Sequence, residues 1–455
     1  MQLDRRRLVA AGIGISGLAA TAASTASVAQ ERRSPNPPRA DTQSSAAEIR
    51  PNSGEDETTR LQAAIDRAAS RGQSLLLPPG RFIVRGLKLP PGTRITGSRQ
   101  ATILQHLGGN PVLTATDATA ITIEHLSIAG GFPLASPWRG LVEFRSVKQL
   151  AIREVSIVTS PAHAIMLERC SGQVTGCNIV DATKSGIFSL DADAGLEISH
   201  NHIDRAGNNG ILVWRTAKGE DGTIVAMNRI ERIAARDGGT GENGNAINVF
   251  RAGNVLVTSN RIADCAFSAV RANSASNVQI LANSIARVGE VAIFAEFAFE
   301  GAVISSNLID GAATGISVTN FDHGGRLAVV QGNLIRNLTL HRGPSDPGGY
   351  GIAVEADAAI SGNTVESAPT AGISIGWGRF CRDIAASGNV VRQCEVGIAV
   401  TSDAAAGAVL IANNMISGSR RGAIRANDHG RILGDDLGLT QPSAGRIRAI
   451  GNVVA

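Results

Sequence analysis

Aromatic residues make up 3% of the 455-residue chain, and Tyr350 is its only tyrosine. So sparse a supply excludes a core filled by large rings. It suits tightly wound β structure with small residues at its corners. Cysteine is scarce too: Cys170, Cys177, Cys265, Cys381 and Cys394 form no CxxC, and an odd count in a long chain is not a disulfide framework. Buried small hydrophobes are the expected role for these thiols. A single Cys170–Cys177 bridge is the alternative. The chain also lacks a membrane-spanning run. Its longest apolar stretch, Leu8 to about Ala23, is interrupted by Gly and Thr and is too short for a stable span.

There is little net charge once the N-terminus is set aside. Residues 1–39 hold six arginines against Asp4 and Glu31, which leaves 37 basic and 37 acidic residues in 40–455. A neutral body does not predict a nucleic-acid partner.

What is present is a repeat. Residues 360–375 read ISGNTVESAPTAGISI, and variants recur at 198–213, 304–318 and 386–400. Each has Asn-x-(Ile/Val), a turn, then (Gly/Ala)-Ile-x-Val. The column is read at Leu126, Val155, Asn178, Asn201, Asn228, Asn260, Asn283, Asn307, Asn333, Asn363, Asn389, Asn414 and Asn452. Gaps run from 23 residues upward, as one coil plus occasional insertions would give. Strand alternation points Ile and Val inward, and stacking buries the apolar face that a single coil leaves open. Asn is expected at a corner, where it tolerates left-handed geometry, and stacked Asn side chains form a ladder. That column is structural. The expected fold class is all-β: a single-stranded right-handed parallel β-helix with an N-terminal capping helix.

The boundaries follow. Residues 1–29 carry Arg5-Arg6-Arg7, an apolar stretch and a small-x-small site at Ser27-Val28-Ala29, so they read as an export signal cleaved near Ala29. Residues 30–54, rich in Pro, Ser and charge, read as a flexible linker. The β-helix domain is 55–455, opened by a helix at 56–72 in which Thr59 and Gln62 fit a capping box and Leu61, Ile65 and Ala68 share one face.

The leader resembles a twin-arginine signal, with Asp4 where Ser or Thr is usual. That resemblance implies the twin-arginine export machinery as a partner and a periplasmic or secreted location; an ordinary secretory signal is the alternative. Thr58, Thr59, Leu61, Gln62, Ala64, Ile65, Pro78-Pro79-Gly80, Phe82 and Val84 resemble the opening of pectate-lyase-like β-helix proteins. The repeat resembles that of pectin lyases, alginate epimerases and the copper-associated NosD proteins. The whole pattern looks like a family of twin-arginine-translocated β-helix repeat proteins, which supplies no reaction.

Three insertions interrupt the coils at one turn: GGFPLASPWR (130–139), ERIAARDGGTGENGN (231–245) and NLTLHRGPSDPGGY (337–350). They are expected to project from one side. The strands that follow them place outward residues in neighbouring columns: Leu212, Asn248, Arg271, Phe294, Ser317 and Ala353 in one, Trp214, Phe250, Asn273, Glu296, Thr319 and Glu355 in the other. Arg215 and Arg251 lie at the bend beyond. Rings with Arg, Asn and Glu suit sugars and their carboxylates. Candidate substrate-binding residues are therefore Trp214, Arg215, Asn248, Phe250, Asn273, Phe294 and Glu355. A polyuronate lyase or epimerase needs a base at C5 and a cation on the carboxylate. The candidates for those roles are Tyr350, Arg251, Arg271 and Glu296. The alternative is that the rings stack between coils or lie under a loop.

A hydrolase needs two flanking carboxylates. Glu296 and Glu355 are expected three coils apart, about 14 Å at one coil per 4.8 Å, which would be too far; Glu296 with Asp322 is the pair left to consider. Asp435-Asp436 is expected in a late loop away from this face. The polygalacturonase carboxylate set and the epimerase Asp-Pro-His-Asp motif are missing. The scattered histidines show no metal-site spacing, and no cofactor is expected, with calcium the ion a lyase reading would add. The leading expectation is an exported β-helix protein that binds an acidic polysaccharide outside the cytoplasm, with lyase or epimerase turnover as its catalytic form. Its alternatives are a non-catalytic glycan-binding or envelope-structural protein, and a NosD-like metal-handling protein.

Overall fold

The computed structural model describes residues 49–239, 241–319, 324–340, 348–437 and 445–455. The export signal and most of the expected linker lie outside them. From Leu75 onward the chain winds as a right-handed parallel β-helix whose coils each contribute a strand to three sheets. Among the described residues each sheet has fifteen strands. The first sheet begins at Leu75–Leu76, the second at Gly80–Val84 and the third at Leu87–Lys88. The solenoid is about 67 Å long at 4.8 Å per coil. Coils therefore begin before the first phased segment at Leu126, in the run around Pro78-Pro79-Gly80.

Inward columns are mostly aliphatic: Ile203, Ile230, Ile262, Ile285 and Ile309 stack on one sheet, each at most 2% exposed, with Phe82, Phe144 and Phe299 as fully buried rings. The five cysteines are free and buried among them. Burial pushes the Cys177 and Cys265 thiols up to about 12. No Cys170–Cys177 disulfide forms.

The asparagine ladder runs unbroken from Asn201 to Asn452. Each Oδ1 accepts the backbone N–H and the Nδ2 of the previous rung, as Asn307 does from Asn283 at 2.9 and 3.0 Å. Each Nδ2 also donates to a carbonyl one coil back, as Asn307 does to Ile280 at 2.9 Å. Two expectations are corrected. Asn178 is not a rung: it aligns with His202, and Cys177 occupies the ladder position, its N–H donating to Asn201 Oδ1 at 2.9 Å. Nor is the rung itself left-handed. That conformation falls on the residue before it, as at His200, Ser259 and Ser306, with φ of 57–59°. The preceding residue turns the corner, and Asn then points inward to saturate the backbone there.

Helix α1 (Thr58–Ser70) closes the N-terminal end with Leu61, Ala64, Ile65 and Ala68 buried. Its cap differs from the expected box. Glu57 is the N-cap and makes no side-chain cap bond, while Asp56 Oδ1 accepts from the Thr58 N–H at 3.0 Å. Gln62 instead pairs with the edge strand. Its Nε2 donates to the Lys88 carbonyl at 2.8 Å and its Oε1 accepts the Lys88 N–H at 2.9 Å, so the open end of the third sheet is satisfied by an amide side chain.

At the other end, Arg431–Asp436 pairs antiparallel with Ile424–Asp428. Asp435 and Asp436 thus lie in a strand of the third sheet rather than in a loop. Asp436 accepts the Ile424 N–H at 2.9 Å and ties the hairpin down.

Candidate functional site

All three insertions fall between a strand of the second sheet and the next strand of the third, so they share one corner. Residues 341–347 of the third insertion lie outside the described residues. The strands that follow carry the expected columns in register: Leu212 beside Asn248, Arg271, Phe294 and Ser317, and Trp214 beside Phe250, Asn273, Glu296 and Thr319. Arg251 takes the bend at φ 59°. Arg215 does not. There the strand runs on from Asn209 to Glu220, shifting register between Trp214 and Gly219, and a second loop rises at the opposite corner. Lys218 on this loop donates to the Ala298 carbonyl several coils along.

Between the loops the rings form a continuous run. Phe188, Trp214 and Phe250 stack edge-to-face at 5.4 and 5.6 Å, and His163 extends the run at 5.2 Å from Phe188. Trp214 Nε1 donates to Asn248 Oδ1 at 3.2 Å, and the Asn248 Nδ2 donates to the Gly241 carbonyl of the 231–245 insertion at 3.1 Å. Leu212 and Asn248 are buried, while Trp214 and Phe250 are half-buried and Arg251 is exposed. The Arg251 guanidinium stacks on Phe250 at 4.7 Å and donates to the Thr216 carbonyl at 2.8 Å. Phe188 and His163 escaped the sequence reading. Phe188 stands two residues after Gly186 in SGIF, the offset that identified Leu212.

Arg271 and Glu296 are locked together. Arg271 Nε and Nη2 donate to the two Glu296 oxygens at 2.6 and 3.0 Å, and Asn273 Nδ2 adds a bond at 2.9 Å. Both charged groups are buried, and the guanidinium lies over Phe294 at 4.9 Å. The cation candidate is thus neutralised by the acid candidate. Arg215 Nη1 donates to the Ala192 carbonyl at 3.1 Å and lies 3.7 Å from Asp221, whose carboxyl is raised by burial.

Tyr350 stands apart from this cluster. It lies three coils beyond Arg271, about 14 Å along the axis. Its ring packs with Ala371, Val396 and Ala399 beside Ile432 of the C-terminal hairpin. Glu355 follows in the same coil, two coils beyond Glu296 and about 10 Å from it along the axis rather than the expected 14 Å, and Asp322 lies outside the described residues.

His163 is buried, with Nδ1 2.5 Å from Ser185 Oγ. Burial, reinforced by Lys184, lowers its pKa from 6.5 to about 4. The unfolded chain therefore takes up this proton first as pH falls. The fold is at full strength above about pH 6.5 and loses about 3 kcal/mol on the way down to pH 4. His163→Phe should remove that part of the acid sensitivity of urea unfolding.

The same face continues toward the N-terminus into a concavity of about 640 Å³ lined by Lys88, Thr114, Thr116, Arg139, Glu143 and Arg145. Arg139 pairs with Glu143 at 2.6 Å, and Arg145 with Glu168 at 2.8 Å. These coils lack the Gly-Ile-x-Val signature, and only their pairing with Met166 and Glu168 places them in the columns. Among the described residues no three His, Cys, Asp or Glu side chains gather closely enough to hold a metal ion. Among the described residues no helix is long and apolar enough to cross a membrane.

A family model for the right handed beta helix region matches residues 92–230 and 217–382. No curated protein matches the chain. Among solved structures, the N-terminal fragment of gene product 12 of bacteriophage phi29 is 14% identical, with a TM-score of 0.48 over 88% of this chain and 70% of that one. The catalytic unit of a thermostable GH87 α-1,3-glucanase from Streptomyces thermodiastaticus is 13% identical, with a TM-score of 0.45 over 92% and 69%. PfbA, a surface adhesin of Streptococcus pneumoniae, is 11% identical, with a TM-score of 0.39 over 84% and 91%. Likenesses of this size carry no argument about what the chain binds.

Proposed function

The chain belongs to the right-handed β-helix family, and on that scaffold we propose an exported protein whose third sheet binds an acidic polysaccharide lying along the solenoid axis. The observation that carries the reading is the run from the buried Phe188 to the half-buried Trp214 and Phe250, edged by the exposed Arg251 and flanked by loops at both corners. Ring faces offer apolar area to sugar C–H groups, and a guanidinium at their edge suits a uronate carboxylate. The twin-arginine-like leader fits a substrate met outside the cytoplasm, and export by that route is part of the proposal.

Binding without turnover is the form we favour. A lyase or epimerase would need its cation and base around one sugar ring. Here Arg271 is held by Glu296, and Tyr350 is three coils away. Two-carboxylate hydrolysis is disfavoured because Glu296 is already engaged by Arg271 and Asn273, with Glu355 two coils away at about 10 Å. A calcium requirement belongs to the lyase form alone, and a metal-handling role has no ligand group among the described residues to build on.

The test is calorimetric titration of the purified protein against a panel of acidic polysaccharides. Saturable binding is expected for at least one of them. Trp214→Ala should weaken it at least about tenfold, or about 1.4 kcal/mol. Arg251→Ala should weaken it with a shallower salt dependence. Binding indifferent to both substitutions, or steady release of unsaturated products, would overturn this form of the proposal.

A further inference from the structure

The corner between the first and second sheets, opposite the ring-bearing third sheet, changes character along the axis. In the second sheet the first outward column carries Asn178, His202, Arg229, Arg261 and Ser284 along its middle and then continues Leu308, Leu334, Thr364, Val390, Met415, Val453. Across the corner the first sheet presents Val303, Val329, Ala359, Ala385 and Leu410 in matching register. Seven of these, from Val390 at 36% to Val453 at 56% exposed, are among the seventeen large apolar side chains exposed in the described residues. The corner between the columns carries Ser, Gly, Gln, Ala and Asn, and no charge from Val303 to Met415. A contiguous exposed apolar patch of this kind marks an interaction surface.

Its borders are charged. Arg336 pairs with Asp310 at 2.9 Å and Arg392 with Glu366 at 3.2 Å along one side. Arg326 pairs with Glu300 and Arg382 with Asp357, each at 2.5 Å, along the other. An apolar centre with a polar rim is the anatomy of a protein–protein interface. Six coils by two strands and their corner give roughly 29 by 20 Å. That is about 600 Å² per copy and about 1,200 Å² across a pair, the lower end of specific interfaces.

We propose that this corner is where two copies of the chain associate. The patch is neutral, so a second copy meets it without like-charge repulsion, and the paired rim charges of alternating sign lie where the partner's rim would fall. A charged partner would find nothing complementary at its centre. The two third sheets then face outward on opposite sides of the pair. Two glycan-binding faces in one particle would engage a polymer with avidity, but the association itself does not depend on the glycan reading.

Sedimentation velocity of the purified full-length protein over a concentration series tests this without any ligand. A reversible dimer is expected. Leu334→Asp combined with Met415→Asp should raise its dissociation constant at least about tenfold without changing the melting temperature, since both side chains are exposed. Val390→Lys alone is the milder second test and should act in the same direction. Arg261→Asp, upstream in the same column, should leave the dimer intact. A protein that stays monomeric at about 100 μM, a dimer insensitive to the patch substitutions, or a monomer that co-floats with lipid vesicles through this patch would each overturn the proposal. Because the readout is mass alone, its failure leaves the polysaccharide titration untouched.

Discussion

Asn307→Ala is expected to lower the free energy of unfolding by about 3–5 kcal/mol. The side chain makes four hydrogen bonds inside the solenoid: two accepted from Asn283, one donated to the Ile280 carbonyl and one to Asn333 Oδ1. Removing it leaves the Asn283 N–H and part of the Ile280 and Asn333 acceptor capacity buried without that partner. Each such orphan costs about 1–3 kcal/mol, partly relieved by local relaxation. Asn178→Ala is the control. Asn178 lies outside the ladder, and its closest side-chain partners are Ser156 at 3.5 Å and His202 at 3.1 Å. Its loss should cost less than about 1 kcal/mol. Urea unfolding followed by circular dichroism separates the two. Equal costs would mean that the ladder does not hold the coils in phase.

Arg271→Ala is expected to destabilise by a similar amount, about 3–5 kcal/mol, because it strands Glu296 in a buried site. The pair is bidentate and braced by Asn273, so its geometry is good, yet removing both charges together should be far cheaper. Arg271→Met with Glu296→Leu should recover most of the lost stability. The double variant also separates scaffold from binding. If Arg271 serves packing, the restored protein binds polysaccharide as the wild type does; if it meets a sugar carboxylate, stability returns without affinity.

The coil was legible because its physics is local. Inward Ile and Val at fixed offsets from a turn set the stack, and strand alternation then placed Trp214, Phe250, Asn273 and Glu296 in one column. The misphased rung at Asn178 shows the limit of reading by residue type. The ladder position follows a left-handed corner residue, and Gly176, at φ 66°, marks Cys177 instead. The Arg271–Glu296 pair was not legible because it is diagonal. It joins the second outward position of one coil to the fourth of the next, and alternation alone does not say which way a long side chain leans. Tyr350 was misleading for another reason. The hairpin that packs beside it, Ile424–Asp436, lies where the repeat stops, so no periodicity announces it. The apolar corner stood open in the sequence as AVISSNLI, AVVQGNLI and AAISGNTV, but only the register shows that these lie side by side.

Trp214 allows the most direct test of the third-sheet reading. With Trp138→Phe and Trp377→Phe, it is the only indole left in the chain. Titration with a polysaccharide that binds in calorimetry should then shift Trp214 emission, saturating at the same ligand concentration as the heat. A polysaccharide that binds with full heat while Trp214 emission stays unchanged would place the binding surface elsewhere on the solenoid.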